Sequence, residues 1–185
     1  MSEEVHIIQA VATGPNGFPY DEIIEIAVCR ADLDARTSEL VCESLIFYDP
    51  RKLGKPKLDY LSEAAGITGE AIYAGEAEAD VVGRVMGIIE GESIACYDAR
   101  QEFGRYMTCA PWDITHRTTV MPSISARMPI SLRCKHPQDE PDIIRKAYRR
   151  LIKGGDPSLR NGRRAGDLAR MSAALMFHMI DKGKY

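Results

Sequence analysis

The side chains of clearest chemical meaning in this sequence are cationic, and they crowd its second half. Arg145, Lys146, Arg149, Arg150 and Lys153, then Arg160, Arg163, Arg164 and Arg170, fall partly at intervals of three and four, the spacing that sets side chains on one helix face. Such a run suits contact with phosphates; it equally describes a solvated helix face, and the sequence leaves both open. Trp112, the single tryptophan, offers either a platform for an unpaired base or a bulky core side chain. Cys29, Cys42, Cys96, Cys109 and Cys134 stand far apart, with no CxxC pair and no Cys/His cluster of zinc spacing, so free thiols are expected. His6, His116, His136 and His178 are equally scattered.

The elements that must position these groups are bounded by composition. The 185 residues are 45% hydrophobic, 28% charged and 7% aromatic, which fits one globular domain over residues 1–185 with a substantial core. No apolar run approaches the roughly 20 residues of a membrane span, and Met1-Ser2-Glu3-Glu4 lacks the positive start of a secretion signal; a cytoplasmic protein without membrane contact is expected. The net charge of −3 conceals an asymmetry. Residues 1–100 carry 8 basic and 19 acidic side chains, a net of −11, and residues 101–185 carry 16 and 8, a net of +8.

Val5 to Val11 (VHIIQAV), Ile23 to Cys29 and Leu40 to Phe47 are short β-rich runs separated by turn residues, and predict three neighbouring strands. Ala77 to Ile89 repeats Val81, Val82, Val85, Met86, Ile88 and Ile89 at helical spacing before Gly91, Ser93 to Cys96 reads as a strand, and Asp98 to Met107 has a helical look. Met121 to Pro141 reads as a long irregular loop. Asp142 to Lys153 and Arg164 to Ile180 are amphipathic, the last with Leu168, Met171, Leu175 and Met179 on a stripe suited to the core. Strands, helices and terminal helices in this order predict an α/β layered domain.

The order IIQAVATGPNGFPYDEIIEIAV, then GITGEAI, then YDARQE, then a closing AGDLARMSAAL helix resembles the DnaQ-like 3′–5′ exonucleases over residues 5 to 180. That resemblance implies a ribonuclease H-like three-layer fold with a mixed central sheet flanked by helices. The family places Asp-x-Glu on its first strand, where this chain has Gln9 and Val11. Its second motif carboxylate corresponds to Glu102, or to Gln101 with one residue of slippage. Its His and Asp of the third motif correspond to Gly162 and Asp167.

The family's chemistry needs two divalent ions about 4 Å apart, one activating water while both stabilise the attacking and leaving oxygens. Magnesium binds through carboxylates and substrate phosphates, so Gln9 and Val11 remove two charges, and Gly162 removes general-base help worth roughly 10²–10⁴-fold. The resemblance therefore implies a catalytically inactive domain without a cofactor, acting in nucleic-acid binding or as an assembly module. Its expected contacts to single-stranded DNA or RNA are Arg145, Arg149, Arg160, Arg163 and Arg164, with Thr68 and Trp112; a protein partner or a second copy is the other expected kind. Two alternatives stand beside it. One is an active exonuclease holding magnesium or manganese on Glu102, Asp167 and Asp98; the other is a purely structural oligomerising module. Asp167 and Asp98 also suit capping roles, and Glu25 of the IIEI run suits a structural one.

Overall fold

Residues 3–185 of the chain are described by a computed structural model. Three strands, β1 (Glu4–Ala12), β2 (Ile23–Asp32) and β3 (Thr37–Leu45), are followed by helices α1 (Pro50–Leu53), α2 (Lys55–Ala65), α3 (Gly69–Tyr73) and α4 (Glu78–Ile89). Then come β4 (Ser93–Ala95), a single turn α5 (Phe103–Tyr106), β5 (Thr119–Val120) and the long helices α6 (Glu140–Leu151) and α7 (Ala165–Asp181). The sheet order is β3-β2-β1-β4-β5. β1, β2 and β3 form an antiparallel meander, while β4 runs parallel to β1 and β5 parallel to β4, giving the mixed sheet predicted above.

β1 is buried from Val5 to Gln9 without a break, as a central strand covered on both faces must be. Its odd-numbered residues Val5, Ile7 and Val11 join Leu168, Met171 and Leu175 of α7 and Ile144 and Tyr148 of α6 in one core. Its Ile8 joins Ile26 and Val28 of β2 and Val81, Val85 and Ile89 of α4 in the other. The methionine stripe of α7 is thus core, and helices cover the sheet on both faces.

Several boundaries differ from the predicted ones. β3 ends at Leu45, and Ile46 makes only an isolated bridge to Glu76. The segment after Asp49, for which the sequence predicts no element, is helical, and Pro50 and Pro56 occupy first-turn positions where proline has no amide to lose. Asp98 to Met107 yields only the turn of α5; Asp98 accepts the Arg100 amide and, through its carbonyl, those of Gln101 and Glu102, which makes a turn before the helix. Between β5 and α6 the chain runs through short 3₁₀ turns at Ile124–Arg127, Ile130–Leu132 and Pro137–Asp139.

The docking of α7 rests on two carboxylates from the sheet. Glu25, fully buried and paired across the ladder with Val11, accepts the Ala165 amide at 2.8 Å and the Arg164 Nε at 2.7 Å. Glu43 of β3 accepts the Gly166 amide at 3.1 Å. A Cβ at Gly166 would fall 2.4 Å from the Glu43 carboxylate, so any other residue there would displace that carboxylate from the helix start. Negative charge at the first turn also suits the helix dipole. Arg164→Met leaves Glu25 buried without its cation and is expected to lower the unfolding free energy by about 3 kcal/mol in urea titrations. A loss below about 1 kcal/mol, the size of an exposed ion pair, would show that this contact does not hold the helix.

Candidate functional site

At the end of β1 the sheet opens into a cleft bordered by Val11, Tyr60 of α2, Tyr106 of α5, Gln101, Pro137 and Arg163. Its floor is formed by Glu102 and Glu140, which belong to a cluster of buried polar side chains brought from three elements, with Gln9 beneath them. Gln9 comes from β1, Glu102 from the turn before α5 and Glu140 from the first turn of α6; they are 0%, 6% and 5% exposed. The Gln9 amide, oriented so that both its ends are satisfied, donates to Glu102 Oε1 at 2.8 Å and accepts the Tyr97 amide at 3.1 Å. Glu102 Oε2 accepts the Ala10 amide at 3.1 Å. Glu140 accepts the Asp98 amide at 3.2 Å and also lies in hydrogen-bonding contact with Gln9.

This placement sets the charge of the floor. Burial pushes the Glu102 carboxyl up to about 8, with the nearby Asp98 adding to the shift and the Ala10 amide opposing it. Burial, Glu102 and Asp98 push Glu140 well above the usual carboxylate range. Two acids so close to one another in a site of low polarity hold their protons together. The floor is therefore an amide beside two carboxyl groups whose ionisation is disfavoured by burial, with apolar Val11 next along the strand.

The rim is fixed from both sides. Asp21 accepts hydrogen bonds from Thr13 Oγ1 at 3.1 Å and the Asn16 amide at 2.7 Å, and pairs with Lys57 of α2 at 3.0 Å. Burial alone would raise its carboxyl, but those three partners together hold it below the usual value. On the other side Tyr106 donates to the Gly14 carbonyl at 2.5 Å and Arg105 to the Pro15 carbonyl at 2.8 Å. The loop between β1 and β2 is thus stitched to α2 and to α5.

The other residues singled out in the sequence have varied fates. Asp167 lies on the first turn of α7 and turns back to accept the Arg164 amide at 3.4 Å. A Cβ at Gly162 would fall 2.5 Å from that of Asp167, so no side chain, histidine included, fits there without a shift. Among the described residues no group of three or more His, Cys, Asp or Glu side chains is placed to hold a metal ion; Glu102, Asp98 and Asp167 do not come together as the ligand set named above. A neutral amide and a valine at the end of β1 also supply no charged oxygen there, and hard divalent ions need charged oxygens.

Trp112 does not offer a stacking face. It is 4% exposed and packs in the core beneath α4. Thr68 is exposed and caps α3, accepting the Ala71 amide at 3.2 Å. Arg164 is committed to Glu25, whereas Arg145, Arg149 and Arg163 gather at one surface hollow with Asn161 and Asp142, and Arg160 is exposed nearby. Among the described residues all five cysteines are free. The sequence reading missed Glu140, whose only signal is an acid before Pro141 at a helix start, and the lock between Asp21 and Lys57.

No family profile matches the sequence, and no curated protein matches it. Solved structures match its fold. A full-length 3′-exonuclease aligns with a TM-score of 0.72 at 13% identity, covering 99% of this chain and 62% of that one. The nuclease domain of 3′hExo, a DEDDh family member bound to rAMP, aligns at 0.64 and 15% identity, covering 99% and 94%. An E. coli exonuclease I–single-stranded DNA complex aligns at 0.66 and 16% identity, covering 97% of this chain and 41% of that one. This chain therefore has the ribonuclease H-like fold of 3′-exonuclease domains, and spans under two thirds of the full-length exonuclease.

The buried floor makes stability depend on pH with a definite sign. Glu102 has an ordinary value of 4.5 and is raised to about 8 in the fold, so its contribution is complete below 4.5 and is lost as pH rises through 8. Glu102→Gln, which cannot ionise, is expected to gain stability relative to the native chain between pH 5 and 8, measured as the difference in urea midpoints. A constant difference across that window would mean that Glu102 is ionised throughout.

Proposed function

We propose that this chain is an exonuclease-fold domain that has given up phosphodiester hydrolysis and binds single-stranded nucleic acid in a cleft that works without metal. The observation that carries this reading is the hydrogen bond from Gln9 to Glu102. Where the family resemblance calls for two carboxylates bridged by divalent ions, this chain has an amide and an acid bonded directly to each other. Among the described residues no group of acids, histidines or cysteines is placed to hold metal for the two-metal route, and Gly162 stands where the resemblance places the histidine base.

Loss of the metals changes what the cleft can bind as well as what it can do. A floor of ionised carboxylates repels phosphates unless cations neutralise it. A floor of protonated acids, an amide and a valine carries no such repulsion, and Arg163 stands at its rim. The basic balance of residues 101–185 supplies long-range attraction. The fold neighbour solved with single-stranded DNA supports the choice of ligand class, and the same cleft geometry supports one domain acting as a unit.

Labelled single-stranded DNA and RNA incubated with the protein and magnesium or manganese are expected to keep their length. Binding, read by anisotropy, is expected to be unchanged by EDTA and to weaken with salt at a slope of about −0.7 per phosphate contact. A Glu102→Gln variant prepared in parallel identifies contaminating nuclease, which the substitution leaves in place. Metal-dependent shortening that Glu102→Gln abolishes would contradict the proposal and establish the active exonuclease instead.

A further inference from the structure

The hollow beside the cleft is built differently from an ordinary patch of surface arginines. Arg145 of α6 has a side chain only 14% exposed; it donates to the Gly162 carbonyl at 3.4 Å and pairs with Asp142. One turn further along, Arg149 donates to the Arg160 carbonyl and to Asn161 Oδ1, both at 2.9 Å. Arg163 donates to the Glu63 carbonyl at 3.0 Å. Each guanidinium is thus held by a carbonyl or amide oxygen of a neighbouring segment, so its side-chain freedom is already reduced before any ligand arrives.

Donors and charge remain in excess. Three guanidinium groups bring about 15 N–H donors, and these contacts use five of them. Asp142 is the one acid lining the hollow, so a net positive charge faces solvent. Arg163 borders both the hollow and the cleft, so the two lie side by side.

We infer that Arg145, Arg149 and Arg163 form a seat for a single phosphate, the one that leaves the cleft with a strand whose terminal nucleotide lies over the Gln9–Glu102 floor. This rests on the nucleic-acid reading above and sharpens it. The five-arginine surface reduces to three residues, with Arg164 removed by its pairing to Glu25 and Arg160 standing outside the lining of the hollow. Forked guanidinium donors match phosphate geometry, and a fixed seat contacts one position of the strand where a diffuse patch contacts all of them equally.

The test uses the full chain and short labelled DNA and RNA strands, each carrying one uncharged methylphosphonate linkage at a different position. Native protein is expected to lose roughly tenfold in affinity for strands with the neutral linkage at one position near an end, and little at the others. Arg149→Gln and Arg163→Gln are each expected to reproduce that loss and to reduce the salt slope by about 0.7, and neither variant discriminates the modified strand. Arg117→Gln, in a loop beside Glu90, serves as the charge-matched control and is expected to bind as the native chain does. Arg163 is exposed and makes one contact to a surface carbonyl, so Arg163→Gln keeps the test valid should Arg149→Gln unfold, as thermal melting would reveal. Native binding with uniform sensitivity along the strand, or seat variants with an unchanged slope, overturns the seat and leaves the nucleic-acid reading standing. No binding by the native protein at low salt overturns both.

Discussion

The hydrogen bond between Gln9 and Glu102 is the contact on which the character of the cleft depends. Two ionised carboxylates could not share that buried position without cations between them. An amide and one carboxyl group can, because Gln9 donates to Glu102 while the amides of Ala10 and Tyr97 meet the remaining oxygens. Glu140 adds a second acid to the same site, so the floor is closed by hydrogen bonds among its own members. A fully satisfied buried network of this kind is specific in its geometry and costly to leave half made.

The rest of the fold holds the three contributors in register. Gln9 is fixed by the central position of β1, Glu102 by the turn that Asp98 nucleates, and Glu140 by the start of α6. Helix α7 closes the same face, and its first turn is held to the sheet through Glu25 and Glu43. Those two carboxylates, unlike the floor acids, meet a guanidinium and backbone amides of a helix start. Similar side chains therefore serve different ends: Glu25 and Glu43 of the sheet hold the first turn of α7, while Glu102 and Glu140 lie buried beside the cleft.

Much of this was legible in the sequence where periodicity carries it. The apolar runs of β1, β2 and β3 and the methionine stripe of α7 announce themselves, since burial on one or two faces dictates residue type directly. That Gln9 and Val11 stand where the family resemblance places acids was also visible once the motif order was recognised. Helix α2 was not announced, because its start, Lys55-Pro56-Lys57, shows no apolar period, although Pro56 stands where a helix tolerates it. Trp112 gave no sign of which side it faced, because an isolated aromatic has no period. Glu140 was missed for a related reason: sequence reports charge, while its burial against Gln9 and Asp98 arises from segments about 40 and 130 residues away. Arg164 illustrates the limit on surface patches, since its spacing matched its neighbours while its partner lay on β2.

The central claim, that the floor is neutral and takes up no catalytic metal, is tested most directly by counting free manganese with electron paramagnetic resonance as protein is added at neutral pH. The account predicts that the native chain and Glu102→Gln deplete free manganese equally, through weak surface contacts alone. A saturable site in the native chain that Glu102→Gln removes would contradict it.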